Sequence, residues 1–163
     1  MRNLSLKSIT HQVKSLNSNP SIRMIPELNI AALSRKPNQQ TRELLFWYLL
    51  RTINVTGCGH VLLADAEREF TTTFKYTRRT FYRHLSLGKG KLWDFYDNGL
   101  RTIKIYSLAT ACEYFHTYKG SKWVDIDTAQ LLKHPSRAML WNAGAYRANA
   151  NQLSAYILSL IHI

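Results

Sequence analysis

Cysteine is scarce in this sequence. Cys58 and Cys112 are the only two among 163 residues, which is too few and too widely separated for a disulfide framework. Long apolar runs are missing as well, since no stretch approaches the length of a membrane span and residues 1–16 lack the hydrophobic segment of a secretion signal. We therefore expect reduced thiols and a cytoplasmic protein with no membrane span.

Acidic residues are also few. The chain has 22 Lys and Arg side chains against 10 Asp and Glu, which gives a formal net charge of +12. Such an excess favours a polyanionic partner, with nucleic acid first and an anionic membrane surface second. Between Lys75 and Lys104, eight basic and two acidic residues leave a net charge of +6. Half of the excess is therefore concentrated in this one stretch.

Motifs of catalytic or metal chemistry are hard to find. Cys58-Gly59-His60 resembles half of a metal site, but no second Cys/His pair follows at finger spacing. Gly88-Lys89-Gly90-Lys91 is shorter than the GxxxxGK[ST] phosphate loop. Tyr82, Arg83 and His84 make a strand-cleaving enzyme a weak rival, although consecutive helical residues point in different directions. We expect no enzymatic activity, no metal and no cofactor.

The strongest helical pattern covers residues 41–54. Thr41 is the expected N-cap, and Leu45, Leu49 and Ile53 recur along one face. Neighbouring aromatic side chains widen this apolar face. The helix is therefore expected to be mostly buried.

Shorter elements follow this helix. The pattern predicts a short strand over residues 60–63 and a second helix over 64–70. Three consecutive β-branched threonines at 71–73 are expected to end that helix in a turn. Together with a basic helix further on, this is the order of a helix-turn-helix preceded by its packing helix.

The basic helix is predicted over residues 76–87. Thr77 can cap it, and Phe81 and Leu85 lie four residues apart on one apolar face. Several basic side chains then fall on the remaining surface. A helix of this kind is well shaped for the DNA major groove, although an ordinary solvated face has the same composition.

A β-hairpin is expected directly after this helix. Asp97-Asn98-Gly99 is the strongest turn signal in the chain and separates two runs, residues 92–96 and 100–107. A two-residue loop would pair Asp94 with Ile103, whereas a three-residue loop would pair Trp93 with Ile103. We favour the second register because it gathers the apolar side chains on one face. These side chains are Trp93, Phe95, Ile103 and Ile105.

The T-R-R-T-F-Y-R-H-L helix, the 88–91 linker and this hairpin resemble a winged helix-turn-helix domain. The style is similar to that of DNA-binding proteins from bacterial phages, plasmids and conjugative elements. The resemblance implies a mainly α fold with a small β-hairpin, of the α+β class, with extra C-terminal helices. It also implies a recognition helix over about residues 77–87 in the major groove and a wing over about 91–106.

Carried onto this sequence, the resemblance assigns three groups of DNA contacts. Base edges would be read by Arg78, Arg79 and Arg83, because an Arg fork on guanine is the commonest specific contact. Phosphates would be held by Lys75, Thr77, Thr80, Tyr82, Lys89 and Lys91. The wing contacts would be Asn98 and Arg101, although Asp94 and Asp97 place two carboxylates on the same hairpin.

Four segments are expected along the chain. Residues 1–40 are interpreted as a basic N-terminal arm and linker, and 41–107 as the winged helix-turn-helix domain. Accessory helices would occupy 108–149, with Ser107 capping a helix over 108–118, an extended stretch over 123–126 and a last helix over 137–149. The closing letters LSLIHI resemble a translated sequencing adapter, so 150–163 is expected to be an artefactual tail in place of a longer native sequence.

The function expected from these features is sequence-specific binding of double-stranded DNA. The protein would act as a transcriptional regulator or as the DNA-binding part of a replication initiator, associated with the nucleoid. A protein-interaction module and an RNA binder are the alternatives. A homodimer is left open.

Overall fold

The computed structural model describes residues 21–35, 39–54, 56–118 and 123–133. These ranges contain six helices and five short strands, which confirms the predicted α+β class. In chain order they are β1 (Ser21–Met24), α1 (Pro26–Arg35), α2 (Gln39–Ile53), β2 (His60–Leu62), α3 (Leu63–Thr72), α4 (Arg78–Leu87), β3 (Trp93–Asn98), β4 (Leu100–Ile105), α5 (Leu108–Tyr114), β5 (Val124–Asp127) and α6 (Thr128–Lys133). The predicted helix over 137–149 and the tail at 150–163 lie outside the described residues.

Helix α2 is the centre of the hydrophobic core. Every residue from Glu43 to Leu50 is buried, as expected for a helix that is apolar around most of its circumference. The prediction that Thr41 caps this helix was wrong, because α2 begins at Gln39 and Thr41 is buried inside its first turn. The Gln39 amide donates a hydrogen bond to Glu43 Oε1 one turn later (3.1 Å), so the helical repeat extends beyond the predicted cap.

The interpretation of residues 1–40 as arm and linker was wrong for residues 21–35. Strand β1 pairs antiparallel with β5, from Ser21 opposite Asp127 to Met24 opposite Val124, and α1 packs on α2. Pro26 did not indicate a linker, since proline suits the first position of a helix, where no backbone N–H is needed. The segment buries Ile22, Met24, Ile25, Leu28 and Ala32.

Buried hydrogen bonds fix α1 to α2. The Tyr48 hydroxyl accepts from the Ile25 backbone N–H (3.0 Å) and donates to Asn29 Oδ1 (2.8 Å). Both partners lie in the segment first interpreted as linker. Burial raises the pKa of Tyr48 far above its ordinary value, so the phenol is neutral and keeps its proton for this bond.

Helix α3 is longer than the threonine run predicted. The hydroxyls of Thr71 and Thr72 donate to the carbonyls of Glu67 (2.8 Å) and Arg68 (2.7 Å), four residues earlier. These bonds accommodate threonine within a helix, so the break comes after Thr72 and not at residue 71.

Helix α4 begins as predicted. Thr77 is its N-cap, and the Thr77 Oγ1 accepts a hydrogen bond from the Thr80 backbone N–H (3.1 Å). Phe81 and Leu85 are the buried residues of this helix, which confirms the predicted apolar face. The order of helix, strand, helix, turn and basic helix is therefore present in the structure.

Strands β2, β4 and β3 form one antiparallel sheet in that spatial order. Trp93 pairs with Ile105 and Phe95 with Ile103, so both registers considered for the hairpin were wrong. The favoured register differs from the observed one by two residues, which leaves the same side chains on the same face. The predicted apolar face is thus present. The turn between the two strands is made at Gly99, whose φ is 85°.

Helix α5 starts at the predicted cap and ends early. Ser107 Oγ accepts from the Thr110 backbone N–H (3.3 Å), which confirms the cap. The helix ends at Tyr114 instead of residue 118, since His116 adopts a left-handed conformation with φ of 53°. Strand β5 matches the predicted extended stretch within one residue.

Candidate nucleic-acid interface

The outer face of α4 carries two arginines. Phe81 and Leu85 point inward, where the Phe81 ring lies 5.7 Å from Phe46 between centroids. With 3.6 residues per turn, Arg79 and Arg83 fall on the opposite side of the helix, and both are exposed. In the described ranges neither arginine makes a salt bridge. These two guanidinium groups are therefore available to a ligand.

Arg78 and Tyr82 are engaged within the protein. Arg78 Nε lies 2.9 Å from Glu67 Oε1, and the Tyr82 hydroxyl donates to Glu67 Oε2. The bond to Glu67 raises the pKa of Tyr82 above its ordinary value. The Glu67 carboxylate thus fastens α3 to α4. Arg78 and Tyr82 were predicted to contact DNA, and the structure places both on the α3 side of the helix.

The turn before α4 projects one lysine. Lys75 is exposed and has a φ of 59°, a conformation that is uncommon for a residue with a side chain. The next residue closes the turn, as the Tyr76 N–H donates to the Phe70 carbonyl (2.8 Å). The Thr77 hydroxyl donates to Thr80 Oγ1 (2.8 Å). The turn and the cap therefore hold Lys75 at the N-terminal end of α4.

The predicted linker after α4 is a hydrogen-bonded turn. The N–H groups of Lys91 and Leu92 donate to the Gly88 carbonyl (3.0 and 3.2 Å), and that of Gly90 donates to the Trp93 carbonyl (2.7 Å). Lys89 is exposed on this turn. The direction of the hairpin relative to α4 is therefore set by a compact turn rather than by a flexible connection.

Trp93 joins the hairpin to the end of α4. Its Nε1–H donates to the Leu85 carbonyl (2.8 Å), and the side chain is fully buried. A Cβ atom built on Gly88 would lie 2.1 Å from Trp93 Cη2. Only a glycine leaves room for this ring, so the positions of helix and hairpin depend on one another.

Lys91 belongs to a partly buried polar cluster around Glu43. Its Nζ lies 3.2 Å from Glu43 Oε1, and the Glu43 side chain is 1% exposed. The Tyr114 hydroxyl donates to Glu43 Oε2 (2.8 Å). Burial and the Glu43 carboxylate raise the pKa of Tyr114 to about 12. Lys91 was predicted to hold a phosphate, and the structure places its ammonium group on a protein carboxylate.

We expect Lys91→Met to lower the free energy of unfolding by about 1 to 2 kcal/mol, because it leaves Glu43 buried without its cation. This loss in the free energy of unfolding is smaller than for a fully buried ion pair, since Lys91 is 37% exposed. Urea denaturation measures the change. Lys89→Met is the matched control and should shift stability by less than about 0.5 kcal/mol. Equal effects of the two substitutions would refute the structural role of Lys91.

The hairpin carries the remaining predicted contacts. Arg101 is exposed on β4 beside the turn, and β3 ends at Asn98, the residue opposite Leu100. Asp94 Oδ1 accepts the Phe95 backbone N–H (2.8 Å), and Asp94 is paired across the sheet with Lys104. The Asp94 carboxylate is therefore bonded to the backbone of the next residue, and Asp94 lies opposite a basic residue in the sheet.

The sequence interpretation missed Arg42 and assigned no DNA contact to His84. Arg42 lies in the first turn of α2, four residues before Phe46, and the Phe46 ring lies 6.1 Å from that of His84 on α4 between centroids. Burial lowers the pKa of His84, and Arg83 and Arg42 lower it further. The only sequence signal was the four-residue spacing from Arg42 to Phe46, which places both on one side of α2.

Comparison of the chain with protein-family models, with characterised proteins and with solved structures found no match. Among the described residues, no three His, Cys, Asp or Glu side chains come together in an arrangement that could hold a metal ion. In the same ranges, no helix has both the length and the apolar character needed to cross a membrane.

Proposed function

We propose that this chain binds double-stranded DNA sequence-specifically and that α4 enters the major groove. The observation that carries the proposal is the outer face of α4, where Arg79 and Arg83 are exposed and unpaired in the described ranges. An arginine fork matches the O6 and N7 acceptors of guanine. The buried face of α4 packs on α2 and α3 and holds the helix rigidly, as is required of a helix that contacts base edges.

The order of the elements supports a winged helix-turn-helix arrangement. Helix α2, strand β2, helices α3 and α4 and the β3–β4 hairpin follow one another, and β4 lies between β2 and β3. In our proposal the hairpin is the wing. It begins immediately after the turn that follows α4, so it can reach the DNA beside the groove that α4 occupies.

We divide the residues predicted to contact DNA into those that contact it in our proposal and those with a carboxylate partner within the protein. Arg79 and Arg83 read base edges, while Lys75 and Lys89 hold phosphates at opposite ends of α4 and Arg101 contacts DNA from the wing. Tyr82 and Lys91 act mainly within the protein, because each has a carboxylate partner there. Arg78 also has such a partner in Glu67, but 76% of its side chain is exposed. A transcriptional regulator and a replication initiator use such a surface equally well, and both remain part of the proposal.

Selection of binding sites from random duplex DNA at near-physiological salt tests this proposal. Enrichment of one motif is the expected result, and the symmetry of the motif reports whether one or two copies of the chain bind. Uniform retention of all sequences would mean that the charge of +12 binds only the backbone. No retention would overturn DNA binding.

A protein partner is the second candidate. Leu62, Tyr96 and Leu100 are exposed, and Leu62 and Tyr96 flank Thr102 on neighbouring strands of the sheet. Apolar side chains on an open sheet face favour contact with another protein. Salt distinguishes the two functions, since DNA affinity falls steeply with salt and an apolar protein interface changes little.

A further inference from the structure

One acidic side chain of α3, that of Glu67, contacts two residues of the helix proposed to enter the groove. Its Oε1 lies 2.9 Å from Arg78 Nε, and its Oε2 accepts the Tyr82 hydroxyl. The guanidinium carbon of Arg78 also lies 5.8 Å from the centroid of the Tyr82 ring. Each of the three side chains therefore contacts the other two, and we call this set the Glu67 cluster.

The Glu67 carboxylate has little freedom within this cluster. Only 25% of its side chain is exposed, and both of its oxygens have a partner on α4. The bond to Glu67 raises the pKa of Tyr82, so the phenol keeps its proton near pH 7 and remains the donor. A carboxylate held through both oxygens fixes the position of the Nε side of the arginine.

Arg78 is held by this contact but is not covered by it. Its side chain is 76% exposed, whereas Lys91, the other basic residue with a single carboxylate partner among the predicted contacts, is 37% exposed and faces a buried glutamate. A guanidinium carries five N–H donors, and one carboxylate engages at most two of them. Donors of Arg78 therefore remain for a ligand.

The place of Arg78 on α4 suits a contact with a base. It is the first residue of the helix, and helical side chains tilt toward the N-terminus, so the arginine extends past the first turn. In helix-turn-helix proteins the N-terminal residues of the groove helix contact base edges. Lys75, proposed to hold a phosphate, is exposed at the same end.

We propose that Glu67 is a positioning residue for DNA recognition: it holds Arg78 in the orientation in which the remaining N–H groups bind the O6 and N7 acceptors of one guanine, and Tyr82 holds Glu67. The inference rests on the proposed function. It adds a residue of α3 that determines base preference without contacting DNA itself.

The physical reason is the ordering of a long side chain before binding. A free arginine loses rotamer freedom when it binds, and this loss weakens the contact. An arginine already held by a carboxylate loses less, but only with a base that fits the held orientation. The Glu67 cluster therefore strengthens binding to one base pair and not to the others.

Glu67 acts with opposite signs on base preference and on overall affinity. Its negative charge offsets that of Arg78 and repels DNA phosphates, which lowers affinity for every duplex. Its hold on Arg78 increases discrimination at one base pair. A glutamate that merely fastened α3 to α4 would show no such opposition, because its loss would weaken binding to all sequences.

The test is fluorescence anisotropy of the full chain with the selected motif and with duplexes that each carry one altered base pair. Arg78→Ala should lower the preference at one base pair about tenfold. Glu67→Gln, nearly the same in shape, should lower the preference at that same base pair about fivefold. Its affinity for a duplex without the motif should rise about twofold, and the salt slope should steepen by about one.

Asp65→Asn is the matched control. It also removes a carboxylate from α3, but Asp65 lies 2.9 Å from Arg68 on its own helix. This variant should raise affinity for all duplexes alike and leave the base preference unchanged. Tyr82→Phe is a second variant of the Glu67 cluster that keeps the ring and removes only the hydroxyl. It should lower the preference at the Arg78 base pair about twofold.

The double variant of Arg78→Ala and Glu67→Gln tests whether Glu67 acts through the arginine. Its preference at that base pair should equal that of Arg78→Ala alone, because a positioning residue has no effect once the side chain that it positions is gone. Losses that add in the double variant would refute the positioning role.

The remaining outcomes separate the two proposals. Absence of binding to any duplex, or of any preferred motif, would refute the proposed function. A preferred motif that neither Arg78→Ala nor Glu67→Gln alters would refute the positioning role alone. The same holds if the two variants lose preference at different base pairs. Equal loss of affinity for every duplex in Glu67→Gln would mean that this carboxylate only fastens α3 to α4.

Discussion

Gly88→Ala is expected to destabilise the protein by about 3 kcal/mol, at the upper end of the range for overpacked cores. The added Cβ would lie 2.1 Å from Trp93 Cη2 and 2.2 Å from Cζ2. The indole cannot retreat easily, since it is fully buried and its Nε1–H is bonded to Leu85. Urea denaturation of the variant and the unmodified chain measures the difference.

Two comparisons isolate this steric cause. Gly90→Ala strains a backbone with φ of 78° but places the new Cβ in open space, so it should cost only about 1 to 2 kcal/mol. Trp93→Leu removes the ring and is destabilising by itself. Combined with Gly88→Ala, however, it should cost less than the sum of the two single changes. Strict additivity would mean that the ring does not lie against Gly88.

Arg79→Ala is expected to relax the sequence preference at one base pair by about 1 to 3 kcal/mol. The side chain is exposed on the outer face of α4, and its removal would eliminate the bidentate contact with guanine that we propose for it. The measurement is affinity for the selected motif and for single-base variants of it. The loss should be confined to sequences that carry the preferred base.

Two substitutions control for the loss of one positive charge. Lys89→Ala should weaken all sequences alike and reduce the salt slope by about one, as expected for a phosphate contact. Arg68→Ala removes an exposed arginine that pairs with Asp65 and Glu69 on α3, and should change DNA affinity little. If Arg79→Ala and Lys89→Ala behave identically on every duplex, α4 does not read the groove as proposed.

The hairpin shows what the sequence could and could not predict. Alternation of apolar side chains predicted correctly which face of β3 and β4 is buried. It could not distinguish registers that differ by two residues, because both place Trp93 and Phe95 on the same face. The observed pairing of Trp93 with Ile105 depends on tertiary contacts that no local pattern contains. One of these contacts is the packing of the Trp93 ring against Gly88.

Two of the three predicted helix caps were confirmed, because their physical cause is local. Thr77 and Ser107 cap helices as predicted, since each bond joins residues three positions apart. The segment at 21–35 was misinterpreted because its stability comes from a distant partner strand. A short stretch with little amphipathic pattern resembles a linker until the strand that pairs with it is known.

The candidate site was predictable in part for the same reason. Helical periodicity placed Arg79 and Arg83 opposite the buried face, and the structure has them there. Periodicity could not show that Glu67 binds Arg78 or that Glu43 binds Lys91, because these partners are 11 and 48 residues apart in the chain.

The pairing of β1 with β5 has a consequence for how the chain is made. A ribosome synthesises Ser21 about a hundred residues before Asp127, its partner across the strands. Until then, β1 has no partner strand, whereas the segments between β1 and β5 can already fold through contacts close in sequence. The last step of folding is therefore expected to be the closure of the two distant strands. A chaperone that shields residues 21–24 during synthesis would act on this interval.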